Sequence, residues 1–290
     1  MFEPLPDWYQ RLPAGDAMAR LEREDLQALG PDISEGEAIG LGWSLLVSDR
    51  EEEVWELSRQ VPGFRWSAVG LLHPEVDRWF DDYAPAFGVI LYAEDEDTEQ
   101  AEPQRGLAFD EIKLPVVVRH GRYSEQRAIP HGRLACWSTS RNGLRSGWLT
   151  ARHVADHAGM AAVGQVVDRA PECLDAALVN VGVAGAGAVQ QLATPAVGSG
   201  VDIEFAALRS ATILDVATNL GVQRSSRFPV RFSVNVAGVP GDSGSLIVGT
   251  PCGDPLGLYL GAFTSAKGRQ SGIGLALTQI EYFMDLEVYR

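Results

Sequence analysis

Three short stretches hold residues that could do nucleophilic chemistry together. Gly241-Asp242-Ser243-Gly244-Ser245 places a hydroxyl between glycines and beside a carboxylate. Glycine accepts the positive φ of a tight turn and lets a ligand come close to the backbone. Upstream, SGWLTARHVADH sets His153 just after an apolar strand, and ECLDAALVNV sets Asp175 immediately before another. A serine hydroxyl is a poor nucleophile at neutral pH, so an imidazole must take its proton during attack and return it to the leaving group. A carboxylate on the other ring nitrogen fixes the tautomer and stabilises the imidazolium. Backbone N–H groups of Gly241 and Ser243 would face the developing oxyanion, each on the order of 10²–10³ in rate. Asp156 and Asp168 are alternative orienters, although neither opens an apolar strand as Asp175 does.

Other reactive side chains have plainer readings. His157 follows His153 by four residues, a spacing that on a helix could hold a metal, but the glutamate such sites use is missing; no metal site is expected. His73, His120 and His131 read as surface or loop residues. Cys136, Cys173 and Cys252 are dispersed and odd in number, which argues against a disulfide framework and for buried free thiols. Trp43, Trp55, Trp66, Trp79, Trp137 and Trp148 read as core.

The elements that must position these groups divide the chain in two. Of 290 residues, 22% are charged, ordinary for a soluble globular protein. The net charge of −15 falls wholly before Gly132, where 27 of 39 acidic but only 12 of 24 basic residues lie. That balance excludes a basic nucleic-acid footprint and points to two regions with different surfaces. No apolar run approaches a membrane span, and the first residues lack the basic start and apolar core of a secretory signal. A cytoplasmic protein is expected.

Residues 1–34 contain a helical pattern behind Asp16, ending at Gly30-Pro31. Residues 35–122 read as a small acidic α+β domain: strands at AIGLGWSLLV, AFGVILYA and LPVVVRHG, a helix over 49–60 and a short one near 73–82. EDEDTEQAE, 94–102, reads as a solvated acidic loop. From about residue 123 to 290 short strands follow one another: RLACWSTS and RSGWLTA around an Asn-Gly turn, then AAVGQVVD, DAALVNVG, VDIEFAAL, TILDVA, VRFSVNV, SLIVG and LGLYLGAF. Such a series predicts a barrel or sandwich. LTQIEYFMDLEVY closes the chain as an amphipathic helix.

LTARHV, DAALV and GDSGS, in the order His, Asp, Ser, resemble the three signatures of chymotrypsin/trypsin-like serine proteases, over roughly Ser124 to Arg290. The DAALV form is most similar to intracellular bacterial members. The resemblance implies a mainly β fold of two six-stranded-type antiparallel barrels with a C-terminal helix, behind the small α+β domain. It implies His153 as general base, Asp175 as orienter, Ser243 as nucleophile, and Gly241 and Ser243 as the oxyanion hole. Ala237, six residues before the nucleophile, falls at the position of primary specificity and suits small or apolar side chains. Thr264 matches the hydroxyl residue that supports the catalytic aspartate, and Thr264, Ser265 and Ala266 end the substrate-binding strand.

Two departures from the family pattern matter. Only 22 positions separate His153 from Asp175, so the first barrel must be abbreviated. No activation cleavage precedes the first barrel strand, so Asp242 needs a partner other than a new amino terminus, or the hole is ordered constitutively. The expected function is a serine endopeptidase without cofactor, acting on protein or peptide substrates, with the acidic N-terminal domain as a regulator or as the docking place of an activating protein. A silent peptide-binding scaffold and an esterase using the same serine are the alternatives.

Overall fold

The computed structural model describes Val47 and residues 50–72, 87–94, 105–109, 112–125, 132–156, 164–171, 174–217 and 230–290. The expected helices over residues 16–29 and 73–82, and the acidic loop beyond Glu94, lie outside the described residues, as do His73, His131, His157, Cys173, Trp43 and Trp79. Of AIGLGWSLLV only Val47 is described, and it is helical.

The described chain opens with helix α1 (Glu51–Ser58), whose first-turn glutamates oppose the positive helix end. Four strands follow: β1 (Phe64–Leu71), β2 (Phe87–Ala93), β3 (Arg105–Phe109) and β4 (Ile112–Glu125). Next come β5 (Trp137–Ser140), β6 (Ser146–Thr150), the single turn α2 (Arg152–Ala155), β7 (Gln165–Arg169) and β8 (Ala177–Asn180). The remainder comprises β9 (Gly200–Glu204), β10 (Leu208–Ala217), β11 (Arg231–Val234), β12 (Leu246–Gly249), β13 (Pro255–Ser265), β14 (Gln270–Ala276), helix α3 (Leu277–Met284) and β15 (Leu286–Tyr289). The molecule is mainly β, in two sheets.

One sheet has the order β15-β5-β6-β8-β7 among the described residues. Leu149, Leu174 and Leu178 fill its core with Ile280, Leu286 and other residues of the C-terminal segment. The other sheet runs β11-β14-β13-β12-β9-β10, and a further pairing of β10 with β11 closes these six strands into a ring. Its interior holds Val201, Ile203, Ile213, Phe232, Ile247 and Tyr259.

The N-terminal strands join this second sheet. β1 pairs with β10, β2 pairs with β1 and β4, and β4 pairs with β13. β4 runs without interruption through residues 122 and 123, where the change of region was expected. Trp66, Tyr92, Ile90, Phe263 and Ile273 form a shared aromatic core between the two regions. Beneath it, Tyr92 donates its hydroxyl to Asp215 Oδ2 at 2.7 Å, Arg119 donates to Tyr92 at 2.8 Å, and Ser233 donates to the same Asp215 oxygen. Gly70 is required at this crossing because a Cβ there would meet the Asp215 Cβ at 2.3 Å.

Several expectations are corrected. The closing helix stops at Met284, because Asp285 takes a left-handed φ of 52°, and the remainder becomes β15 against β5. Cys136 is a buried free thiol, but Cys252 is exposed. Trp55 is 39% exposed, so the core reading fails there, whereas Trp66 is buried. No helix among the described residues is long and apolar enough to cross a membrane.

Candidate functional site

Pairing of β6 with β8 brings two of the predicted residues together. Thr150 lies opposite Ala177, so the turn after β6 and the residues before β8 emerge at the same end of the sheet. His153 sits in α2 on one side of this end and Asp175 on the other. The His153 Nδ1 lies 2.5 Å from Asp175 Oδ2, and the His153 backbone N–H donates to Asp175 Oδ1 at 2.9 Å. Both carboxylate oxygens thus fix one histidine. Burial pushes the Asp175 carboxyl upward, but hydrogen bonds from the His153 ring and backbone, with the charges of His153 and Arg231, outweigh it and hold the group below its ordinary value. The alternative orienters are engaged elsewhere: Asp156 pairs with Arg152 and Arg169, and Asp168 with Arg145.

Ser243 stands in the turn that leads into β12. Gly241 and Gly244 flank it with φ of 101° and 92°, values that a residue bearing Cβ rarely adopts. At Gly244 a Cβ would also meet the Arg133 carbonyl oxygen at 2.1 Å. The turn closes on itself: Asp242 N–H donates to the Val239 carbonyl at 3.0 Å, and Val239 N–H donates to Asp242 Oδ2 at 2.8 Å. The N–H groups of Gly241 and Ser243 have no hydrogen-bond partner among the described residues.

Arg133 makes two bonds to this turn and one to β6. Its N–H donates to the Ser243 carbonyl at 2.8 Å, its carbonyl accepts Thr150 Oγ1 at 2.6 Å, and its Nε donates to Asp242 Oδ1 at 3.3 Å. Residue 133 therefore ties the turn of the second sheet to the strand that ends beside His153. Asp242, 5% exposed, has a charged partner in Arg133, the first of the two alternatives left open from sequence.

The third side chain is engaged elsewhere. The Ser243 hydroxyl donates to the Leu260 carbonyl at 2.6 Å, and His153 Nε2 is buried without a hydrogen-bond partner among the described residues. Ser243 is 0% and His153 8% exposed. Rotation of the Ser243 hydroxyl from Leu260 would be needed to engage the imidazole.

The remaining predicted residues lie along the same strand system. Ala237 is half-buried next to Gly238, whose N–H donates to the Tyr259 hydroxyl at 2.7 Å. Thr264 is not among the partners of Asp175; its hydroxyl accepts Gln270 Nε2 at 3.4 Å. Ser265 accepts Arg269 N–H through its hydroxyl, and Ala266 N–H donates to the His120 carbonyl at 2.8 Å. Glu125, at the end of β4, was not singled out from sequence, yet a carboxylate oxygen of Glu125, a ring nitrogen of His153 and an Asp175 oxygen all lie within 4.8 Å of one another. These three groups could be read as metal ligands, but Asp175 already engages His153 Nδ1 at 2.5 Å, the geometry of an orienting hydrogen bond.

No protein-family model matches the chain, and no curated protein matches it. Among solved structures it is similar to a Nocardiopsis protease, at 16% identity and a TM-score of 0.39 over 54% of this chain and 92% of that one. Protease A of Thermobifida fusca gives 14% and 0.40 over 55% and 91%. A glutamic acid specific serine protease gives 18% and 0.42 over 55% and 93%. These three are named as proteases, the last of them as a serine protease, and each match covers about half of this chain.

Proposed function

We propose that the chain is a serine endopeptidase of trypsin-like fold acting on protein or peptide substrates. The observation that carries this reading is the double hold of Asp175 on His153, through the ring at 2.5 Å and the backbone at 2.9 Å, together with a serine on a glycine-flanked turn. With Asp175 accepting at Nδ1, the neutral imidazole keeps Nε2 as its basic nitrogen. The Ser243 hydroxyl swings from the Leu260 carbonyl to that nitrogen, gives up its proton and attacks the substrate carbonyl. The tetrahedral oxyanion is held by the Gly241 and Ser243 N–H groups. His153 returns the proton to the leaving amine, and a water then hydrolyses the acyl-enzyme by the same route. Ala237 leaves room for small or apolar substrate side chains, and the free thiols Cys136 and Cys252 suit a reducing, cytoplasmic setting.

A second reading, a peptide-binding scaffold without chemistry, is favoured by the Ser243–Leu260 contact, which leaves the serine and histidine unjoined. Incubation with a fluorophosphonate probe and mapping of the adduct separates the two. A phosphonyl group on Ser243, absent from Ser243→Ala and slow in His153→Ala, supports the enzyme. No adduct in folded protein, including variants with β4 loosened from β13, would remove it. Comparison of amide with ester substrates then divides a peptidase from an esterase.

A further inference from the structure

One segment of the chain covers the edge of β13 that begins beside the nucleophile turn. β14 follows β13 along one side. Along the other, β12 accompanies residues 255–258, and after it leaves, residues 121–125 of β4 take over from Gly261 to Ser265. This ladder is antiparallel and without a register shift: Glu125 faces Gly261, Ser124 faces Ala262, Tyr123 faces Phe263, Arg122 faces Thr264 and Gly121 faces Ser265. Ala266 N–H on the His120 carbonyl extends it. Alternation along an antiparallel ladder then makes Thr264–Arg122 and Ala262–Ser124 the hydrogen-bonded pairs.

The covered stretch begins one residue after Leu260, whose carbonyl holds the Ser243 hydroxyl. β4 therefore runs toward the nucleophile, and its last residue carries a carboxylate up to the His153–Asp175 pair. Ser243 retains no exposed surface. Gly121 and Gly261 permit the approach: a Cβ on either would meet a carbonyl oxygen of the opposite strand, Thr264 at 2.3 Å and Ser124 at 2.4 Å.

We infer that β4 is a built-in inhibitory strand: residues 121–125 occupy the edge of β13 to which a substrate's extended main chain would add, and Glu125 lies against the His153–Asp175 pair. The inference rests on the catalytic reading of Ser243, His153 and Asp175 above. Strand addition draws its affinity from main-chain hydrogen bonds, and a tethered strand competes at an effective concentration of about millimolar or higher. Substrate enters only when this end of β4 peels away or is captured by a partner that pairs with it.

The test weakens the ladder at residue 124, whose N–H faces Ala262 and whose hydroxyl donates to the Ala262 carbonyl at 3.3 Å. Ser124→Pro removes the N–H that faces Ala262; Tyr123→Ala, which deletes the ring packed edge-on against Trp66 at 6.2 Å, is the second variant should proline prevent folding. In a folded variant the rate of fluorophosphonate labelling at Ser243 should rise by at least about fivefold, the population shift carried by one ladder hydrogen bond. A catalysis-independent arm uses Ser243→Ala chains and a fluorescent synthetic peptide RHGRYSE, identical to residues 119–125. It should bind the chain that also carries Ser124→Pro or Tyr123→Ala, and not Ser243→Ala alone. Equal labelling rates with unchanged peptide binding would overturn the inhibitory strand while leaving the protease reading intact. No labelling in any folded chain, with peptide binding gained in the loosened ones, would overturn the protease reading and keep the strand as occupant of a peptide edge.

Discussion

Replacing Arg133 by glutamine isolates the contribution of one guanidinium to the nucleophile turn. The backbone N–H and carbonyl of residue 133 keep their bonds to Ser243 and Thr150, and the aliphatic stem is largely retained. What is lost is the Nε–Asp242 Oδ1 contact at 3.3 Å, in which the carboxylate side chain is 7% and the arginine side chain 34% exposed. A hydrogen bond to a charged group contributes about 1.5–3 kcal/mol. The exposure of Arg133 and the length of the contact place this one at the low end, about 1–1.5 kcal/mol after screening. Asp242 lies between Gly241 and Ser243, so that energy holds the two N–H groups in register, and its loss should lower Ser243 phosphonylation roughly fivefold to tenfold. The assay is the second-order labelling rate of Arg133→Gln against the parent chain, each at low salt and at 1 M salt. The parent should slow with salt and the variant should not, because only the parent has the partly screened pair. Rates within twofold of each other at low salt would refute the argument that Arg133 orders the turn.

Asp175→Asn should lower activity by on the order of 10⁴, through loss of the correct imidazole tautomer, with little change in fold. It should also flatten the acid limb of stability. The folded Asp175 carboxyl is held below its unfolded value, so its contribution is present above about pH 4 and lost as pH falls through the folded value; urea midpoints between pH 2 and 6 check this. Gly244→Ala combines a φ of 92° with contacts at 2.1 Å to the Arg133 carbonyl and 2.6 Å to Thr150 Oγ1. It should cost about 3 kcal/mol or more and abolish labelling, read as a fall in thermal midpoint. Asp215→Ala removes the buried carboxylate that lies 3.7 Å from the Arg119 guanidinium and accepts from Tyr92 and Ser233, and should cost about 3–5 kcal/mol in urea unfolding. Arg119→Met added to it should recover part of that loss.

The reactive groups were legible because their chemistry constrains their neighbours. A nucleophile on a strained turn demands glycines, and Gly241 and Gly244 carry the positive φ that the motif implied. The helix over 51–58 and most strands after residue 137 followed from apolar runs between turn residues. β1 did not, because FRWSAVGL is buried almost throughout and so lacks a period-2 alternation, while Ser67, Ala68 and Gly70 interrupt its apolar run. β15 was hidden inside an apolar spacing that fits a helix, and only the left-handed backbone at Asp285 breaks it. Arg133 and Glu125 lacked any local signal. Their roles arise from long-range placement, 109 residues from Asp242 for the one and 28 from His153 for the other, and no periodicity encodes such contacts.

The architecture also decides how β4 could release β13 without unfolding the rest. β4 has two unequal parts. Residues 112–120 are held between β3 and β2, with Leu114, Val116 and Val117 buried and Arg119 engaged with Tyr92 and Asp215. Residues 121–125 touch neither of those strands in the ladder; they pair with β13 alone, and Arg122 and Ser124 are exposed. Local opening begins where buried apolar contacts are fewest, which is this outer part. Arg119 then acts as the hinge post: its buried network must stay closed while the five residues beyond it come away. Amide exchange should accordingly show Ala262 and Thr264 exchanging faster than Val117 and Arg119 in the intact chain. Uniform protection along the whole of β4 would mean that release of β13 requires opening the shared core, and the strand would be a permanent part of the barrel wall.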